Sequence, residues 1–344
     1  MTRRCSVRIP LAAWHRFFAL GLLALPFSLS VTAAAQDTYQ SVYVDQALVH
    51  AIRPETRQHR IPLILIPGHN LSSYIFLTTP DGREGWVRSF AASGFDVMVV
   101  NDPNLDFSMG FDVGPFCVPV EGAPPADPMA ERAWQRDVWR RWGFGDMEGE
   151  PYPDTRFPVE HFANFEANYP YVSAAGRSHS QVVLNVLGSV GPAILVAHSA
   201  GAATAVKAAS ERPDLVVGFV LVEPAGPPAE RDFPTLAGLS MLGVYGDYID
   251  SRRQGGRKEA TEVAAALFRE YGGTGQVISL PDDMGIYGNT HLMMQDDNST
   301  FIAEVITSWL SENMDTHPTT ARSRSVAALY MPSCRRSRSL VPVH

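Results

Sequence analysis

Residues 197–201 read Ala-His-Ser-Ala-Gly. An apolar run, Ala193 to Ala197, precedes Ser199, and an alanine-rich segment, Ala200 to Arg212, follows it. This is the pattern of a nucleophile lifted on a sharp turn between a strand and a helix. The positions two before and two after such a serine must be small, because strand and helix nearly touch there. Ala197 and Gly201 satisfy that need. The turn also presents the amino end of the helix to the serine oxygen, where negative charge is favoured.

A serine hydroxyl is almost wholly protonated at neutral pH and needs a base. His291, in Gly288-Asn289-Thr290-His291, falls between the last expected strand and the last expected helix. His50 and His59 precede what reads as the first sheet strand, and His161 and His179 fall in an irregular stretch. These four read as surface or packing residues, and His198 as a neighbour that packs beside Ser199. Two acids compete to orient the base. Asp247 follows the penultimate expected strand, and Glu223 follows the strand before that one. Chain topology favours Asp247, although either carboxylate can hold an imidazole tautomer and stabilise the imidazolium.

The elements that must position these groups follow from apolar runs and turn residues. Strands are expected at Ile61–Ile66, Phe95–Asn101, Ala193–Ala197, Val216–Val222, Ser240–Tyr245 and Gln276–Leu280. Helices are expected at Trp86–Ser93, near Met129–Trp142, and at Ser180–Leu187, Ala200–Arg212, Lys258–Tyr271 and Phe301–Leu310. Continuous apolar strands alternating with helices predict a mostly parallel sheet covered on both faces. In such sheets ligands bind beyond the carboxyl ends of the strands, where Ser199, Glu223, Asp247 and His291 all fall. With the serine turn, this order predicts an α/β-hydrolase fold carrying an insert at about 102–178.

Hydrophobic residues make up 45% and charged residues 19% of the 344, which excludes a disordered chain. The formal net charge is −8, and residues 36–314 alone carry 19 basic and 35 acidic side chains. So acidic a body argues against a nucleic-acid partner, which requires a basic face. Residues 1–35 read as a secretory signal peptide. Four arginines precede and flank an apolar run that Pro26 ends, and Ala33-Ala34-Ala35 offers a cleavage site before Gln36. The run falls short of the roughly 20 apolar residues of a membrane span, so a secreted or periplasmic protein without a stable span is expected. Residues 315–344, rich in Ser, Thr, Arg and Pro, read as a disordered tail. Cys5, Cys117 and Cys334 form neither a disulfide framework nor a metal spacing.

The segments Thr79-Pro80-Asp81-Gly82-Arg83-Glu84-Gly85-Trp86, Val222-Glu223-Pro224, Gly246-Asp247 and Gly288-Asn289-Thr290-His291-Leu292-Met293-Met294-Gln295-Asp296 resemble the bacterial esterase 713 family. The resemblance covers most of 60–312 and is loose in the insert. These are serine hydrolases of the α/β-hydrolase fold. The resemblance implies that Glu223 joins Ser199 and His291, leaving Asp247 a structural role near the His291 loop. It also implies an oxyanion hole of the backbone N–H groups of Ala200 and His69. At the second of these the sequence departs from the family, reading Ile66-Pro67-Gly68-His69-Asn70 where a His-Gly-Gly turn is common, and Pro67 has no N–H to give.

The expected reaction is hydrolysis of a small-molecule ester through an acyl-enzyme, with no metal or cofactor. Lactone, amide and carbon–carbon hydrolysis use the same triad and stay open, as does a non-catalytic module that kept the fold. A homodimer is also left open. The insert aromatics Trp134, Trp139, Trp142, Phe144, Phe162, Phe165 and Tyr169 either line an apolar pocket or pack as the core of the insert.

Overall fold

The computed structural model describes residues 37–106, 139–146, 148–168, 170–172 and 176–314. The expected signal segment 1–35 and tail 315–344 lie outside the described residues, as do Cys5, Cys117, Cys334, Trp134 and Tyr169. Only 139–142 of the expected helix near Met129–Trp142 are described; 139–141 are helical and Trp142 is in a turn.

Eight strands form the main sheet: β1 (Thr38–Val44), β2 (Ala47–Arg53), β3 (Leu63–Ile66), β4 (Val97–Val100), and then β7 (Ala193–His198), β8 (Val216–Val222), β9 (Ser240–Tyr245) and β10 (Gly275–Ser279). Their order is β1-β2-β4-β3-β7-β8-β9-β10. From β4 through β10 every pairing is parallel, while β1 and β2 form an antiparallel hairpin against β4. That hairpin corrects the expectation that the sheet begins at Ile61. His50 does not precede the first strand but sits within β2, paired to Ser41 and Val99. The hairpin escapes a search for apolar runs because β1 is an edge strand whose residues are all exposed or half-buried. Two further short strands, β5 (Leu105–Asp106) and β6 (Tyr171–Val172), pair the two ends of the insert.

Helices α1 (Trp86–Ala92), α2 (His179–Val190), α3 (Gly201–Glu211), α4 (Gly255–Glu270) and α5 (Ser299–Asn313) cover the sheet. Period-two alternation divides the core between its faces. Leu63, Leu65, Ile194 and Val196 pack with α1 and α5 through Trp86, Phe90, Ile302 and Trp309. Ile64, Ile66, Leu195 and Ala197 pack with α2, α3 and α4 through Val183, Ala202, Ala205 and Phe268. The alanines of α3 bring its backbone close to the strands. A Cβ on Gly201 would lie 2.6 Å from the Ile66 carbonyl oxygen, which is why no larger residue fits the first position of this helix.

Of the described insert aromatics, Trp139, Phe144, Phe162 and Phe165 form a core, while Trp142 also lines a cavity. Phe144, Phe157 and Phe165 are buried, and Trp139 and Phe162 meet Phe144 edge-on at ring separations of 5.7 Å. The cluster is continuous with the α1–α5 face of the sheet.

Candidate active site

Ser199 follows β7 with φ +49°, a left-handed conformation uncommon for a non-glycine residue. Neighbouring bonds hold it there. Its N–H donates to the Val222 carbonyl at 3.0 Å, and its own carbonyl accepts from Ala202 and Ala225. Glu223, at the end of β8, is also left-handed at φ +40°, its N–H bonded to the Val244 carbonyl. Two adjacent parallel strands therefore end in left-handed turns, each fastened to the next strand. Such backbone conformations persist only where the surroundings over-determine them, and they gather at functional sites.

His291 arrives from the loop after β10. Its Nδ1 lies 2.6 Å from Glu223 Oε2, with both side chains buried. A proton on Nδ1 leaves Nε2 as an acceptor. Ser199 and His291 line one cavity of about 210 Å³ together with His69, Leu71, Arg141, Trp142, Ala200, Ala225, Gln254 and Arg257. The backbone N–H groups of Ala200 and His69, expected to bind an oxyanion, thus belong to residues of the same cavity. The His69 side chain is exposed. Gly68 permits the close approach of this turn, since a Cβ there would lie 2.9 Å from Ser199 Cβ.

Asp247 is not beside the imidazole. Its Oδ2 accepts from the Gly288 N–H at 2.9 Å, and its own N–H donates to the Asn289 carbonyl at 2.7 Å. It ties the end of β9 to the start of the His291 loop.

Arg252 was not singled out by sequence reasoning. Its fully buried guanidinium grips Glu223 with two nitrogens, Nη1 to Oε2 at 2.6 Å and Nη2 to Oε1 at 2.7 Å. Nη2 also donates to the Asp247 carbonyl, and Gly246 N–H donates to Glu223 Oε1. Burial alone would raise the Glu223 carboxyl. The Arg252 charge and the bonds from His291 and Arg252 outweigh that and hold it well below the usual carboxylate range. Burial lowers the His291 imidazole; Glu223 opposes that shift, and the charges of Arg252 and Arg257 reinforce it. No short motif marks Arg252, which stands in a surface-like stretch, Ser251-Arg252-Arg253-Gln254.

His198 is fully buried, and its Nε2 donates to the His291 carbonyl at 2.9 Å. Burial pushes its pKa well down, and its Nε2 is engaged by the loop that carries His291. His50 bonds Tyr39, His59 stacks on Phe95, His179 contacts the Val100 carbonyl, and His161 is exposed beside Glu160. None of these four lines the cavity.

The two longest motif segments of the sequence meet in space. Arg83 donates from Nη1 to the Asp296 carbonyl at 2.9 Å and from Nη2 to the Gln295 carbonyl at 3.2 Å, braced by Asp81 at 2.6 Å. Gln295 Nε2 returns two bonds, to the Ile75 and Thr78 carbonyls. Asp296 accepts from Asn289 Nδ2, Thr290 N–H and Thr290 Oγ1, closing the loop on itself. Burial pushes the Asp296 carboxyl up to about 7 against those three donors. The His291 N–H donates to the Trp142 carbonyl at 2.7 Å, fastening the insert to the same loop.

Among the described residues, no group of three or more His, Cys, Asp or Glu is arranged to hold a metal ion, and no helix is long and apolar enough to cross a membrane.

No family model matches the chain. It is 22% identical over 326 residues to "Probable secreted lipase phiG" of Fungal sp. (strain ATCC 74256), covering 79% of this chain and 86% of the relative. Among solved structures it is similar to "a Novel Bacterial Esterase", at 28% identity and a TM-score of 0.68, covering 79% of this chain and 87% of that one. The eight-stranded, mostly parallel sheet flanked by helices, with a serine turn after β7 and a histidine loop after β10, is an α/β-hydrolase fold.

Proposed function

We propose that this protein is a serine hydrolase that cleaves small-molecule carboxylic esters through an acyl-enzyme, with Ser199, His291 and Glu223 as its triad. The observation that carries the reading is the buried 2.6 Å contact between His291 Nδ1 and Glu223 Oε2, on an imidazole that shares a cavity with Ser199. The similar lipase and esterase support the choice of ester as substrate. The motif segments around Asp81, Glu223 and His291 support placing the chain in the esterase 713 family.

In this mechanism Ser199 Oγ attacks the ester carbonyl while His291 Nε2 takes its proton. The Glu223 carboxylate holds the tautomer and stabilises the imidazolium. The N–H groups of Ala200 and His69 receive the oxyanion, each worth about 2.7–4 kcal/mol in comparable sites. His291 passes the proton to the leaving alcohol, and water repeats the sequence on the acyl-enzyme. Asp247 is the structural carboxylate that anchors the loop.

On this reading residues 36–314 are the working body with an insert at about 102–178, 1–35 are removed on export, and 315–344 are a tail. The test is labelling of the purified protein with a fluorophosphonate, followed by a panel of esters, lactones and amides. Labelling at Ser199 with fastest turnover of esters is expected. Labelling with preferential lactone or amide turnover would change the substrate class, and no labelling would leave a non-catalytic module.

A further inference from the structure

The cavity beside Ser199 is charged in the opposite sense to the body that contains it. Residues 36–314 have a net charge of −16, yet among the described residues the lining of the cavity holds no Asp or Glu and two arginines, Arg141 and Arg257. Gln254 adds a neutral polar group, and Trp142 and Leu71 are its large apolar members. Among the described residues the other insert aromatics are spent on their own core, so they are not at hand for a long hydrocarbon chain.

Arg257 stands in the first turn of α4, which carries no acidic residue. The positive end of the helix dipole and the guanidinium therefore add, instead of being offset by the usual acidic first turn. The Arg257 guanidinium forms no ion pair with any described residue, unlike Arg252 five positions earlier, which Glu223 neutralises. Arg257 is exposed at the cavity, where a cation on a concave surface attracts an incoming anion. Guanidinium nitrogens match a carboxylate in two-point geometry.

We propose that this site selects esters carrying an anionic group, a carboxylate on the acyl or the alcohol side of the scissile bond, and that Arg257 binds that group. The proposal rests on the serine-hydrolase reading above and names its substrate class. The bond broken is still the ester C–O bond, with water supplying the elements of acid and alcohol. The anion serves only to place the carbonyl over Ser199.

The test compares kcat/KM for matched pairs. 4-Nitrophenyl hydrogen adipate against 4-nitrophenyl hexanoate probes the acyl side, and 4-carboxyphenyl butanoate against phenyl butanoate the alcohol side. The anionic member of at least one pair is expected to be favoured about tenfold, the value of one charge-assisted hydrogen bond. Arg257→Gln should bring that ratio to about one through KM, Arg257→Lys should keep part of it, and 1 M salt should weaken it in the unaltered protein. Neutral esters turned over as well as or better than both anionic ones would overturn the proposal and leave the hydrolase reading standing. So would a preference that survives in Arg257→Gln. Failure of every ester together with no fluorophosphonate labelling of Ser199 would remove both. The ratio in the unaltered protein decides the matter even if a variant does not fold.

Discussion

Arg252 and Glu223 form a bidentate ion pair inside the protein, with the arginine side chain fully buried and the glutamate 2% exposed. Glu223 Oε2 is shared between Arg252 Nη1 and His291 Nδ1, both at 2.6 Å. The same carboxylate thus faces a permanent cation and the imidazole it orients. One consequence is that the carboxylate stays ionised. The other is that the Arg252 charge, 29 residues along the chain, makes the imidazolium harder to form.

Breaking this pair should cost stability and move the pH profile. Arg252→Met leaves a buried carboxylate with one partner fewer, a change worth about 3–5 kcal/mol in comparable buried pairs. Glu223 is held below its unfolded value of about 4.3, so its stabilisation is present above that pH and is lost as the pH falls further. The variant should therefore unfold at higher pH in an acid titration followed by circular dichroism. In kcat/KM profiles the unaltered protein should show an acid limb below the ordinary histidine value of about 6.5. Arg252→Gln, which removes the guanidinium charge, should move that limb upward if it folds.

Ser199→Ala should lose at least about a thousandfold in ester turnover while keeping its fold, because removing one member disables the triad. Retained turnover by a folded variant would exclude Ser199 as the nucleophile.

Glu223→Gln and Asp247→Asn separate the two carboxylates. The first should lose on the order of 10⁴ in kcat, as wrong-tautomer variants do. The second keeps one acceptor oxygen for the Gly288 N–H and should lose far less. The reverse ranking in folded proteins would transfer the role to Asp247.

Arg83→Met removes the donors that hold the carbonyls of Gln295 and Asp296. Faster amide hydrogen exchange across residues 288–297 is expected, with a lower kcat and an intact sheet. Unchanged exchange in that loop would show that Asp296 and Gln295 hold it unaided.

Under the proposed export, the mature protein is expected to begin near Gln36, after the small-residue run Ala33-Ala34-Ala35. Intact-mass measurement on secreted or periplasmic material checks it, and retention of Met1 on exported protein would contradict it.

The sequence by itself determined the parallel part of the sheet, because strands buried on both faces must be apolar throughout and such runs are visible. It also determined the serine turn, where the close approach of α3 to Ile66 forces a glycine at 201. It could not show the β1–β2 hairpin, whose outer strand is half solvated, and its spacing alone did not decide between two acids that each follow a strand, where only the motif resemblance pointed to Glu223. The tertiary structure decided which carboxylate meets the imidazole, because the left-handed turn at Glu223 and the longer reach of glutamate bring Oε2 to His291, while Asp247 turns to Gly288. It alone disclosed Arg252 and the lone Arg257. Both are arginines in a polar stretch, and nothing local distinguishes a guanidinium that is buried on a carboxylate from one that lines a cavity. That difference is set by which strand ends the fold brings together.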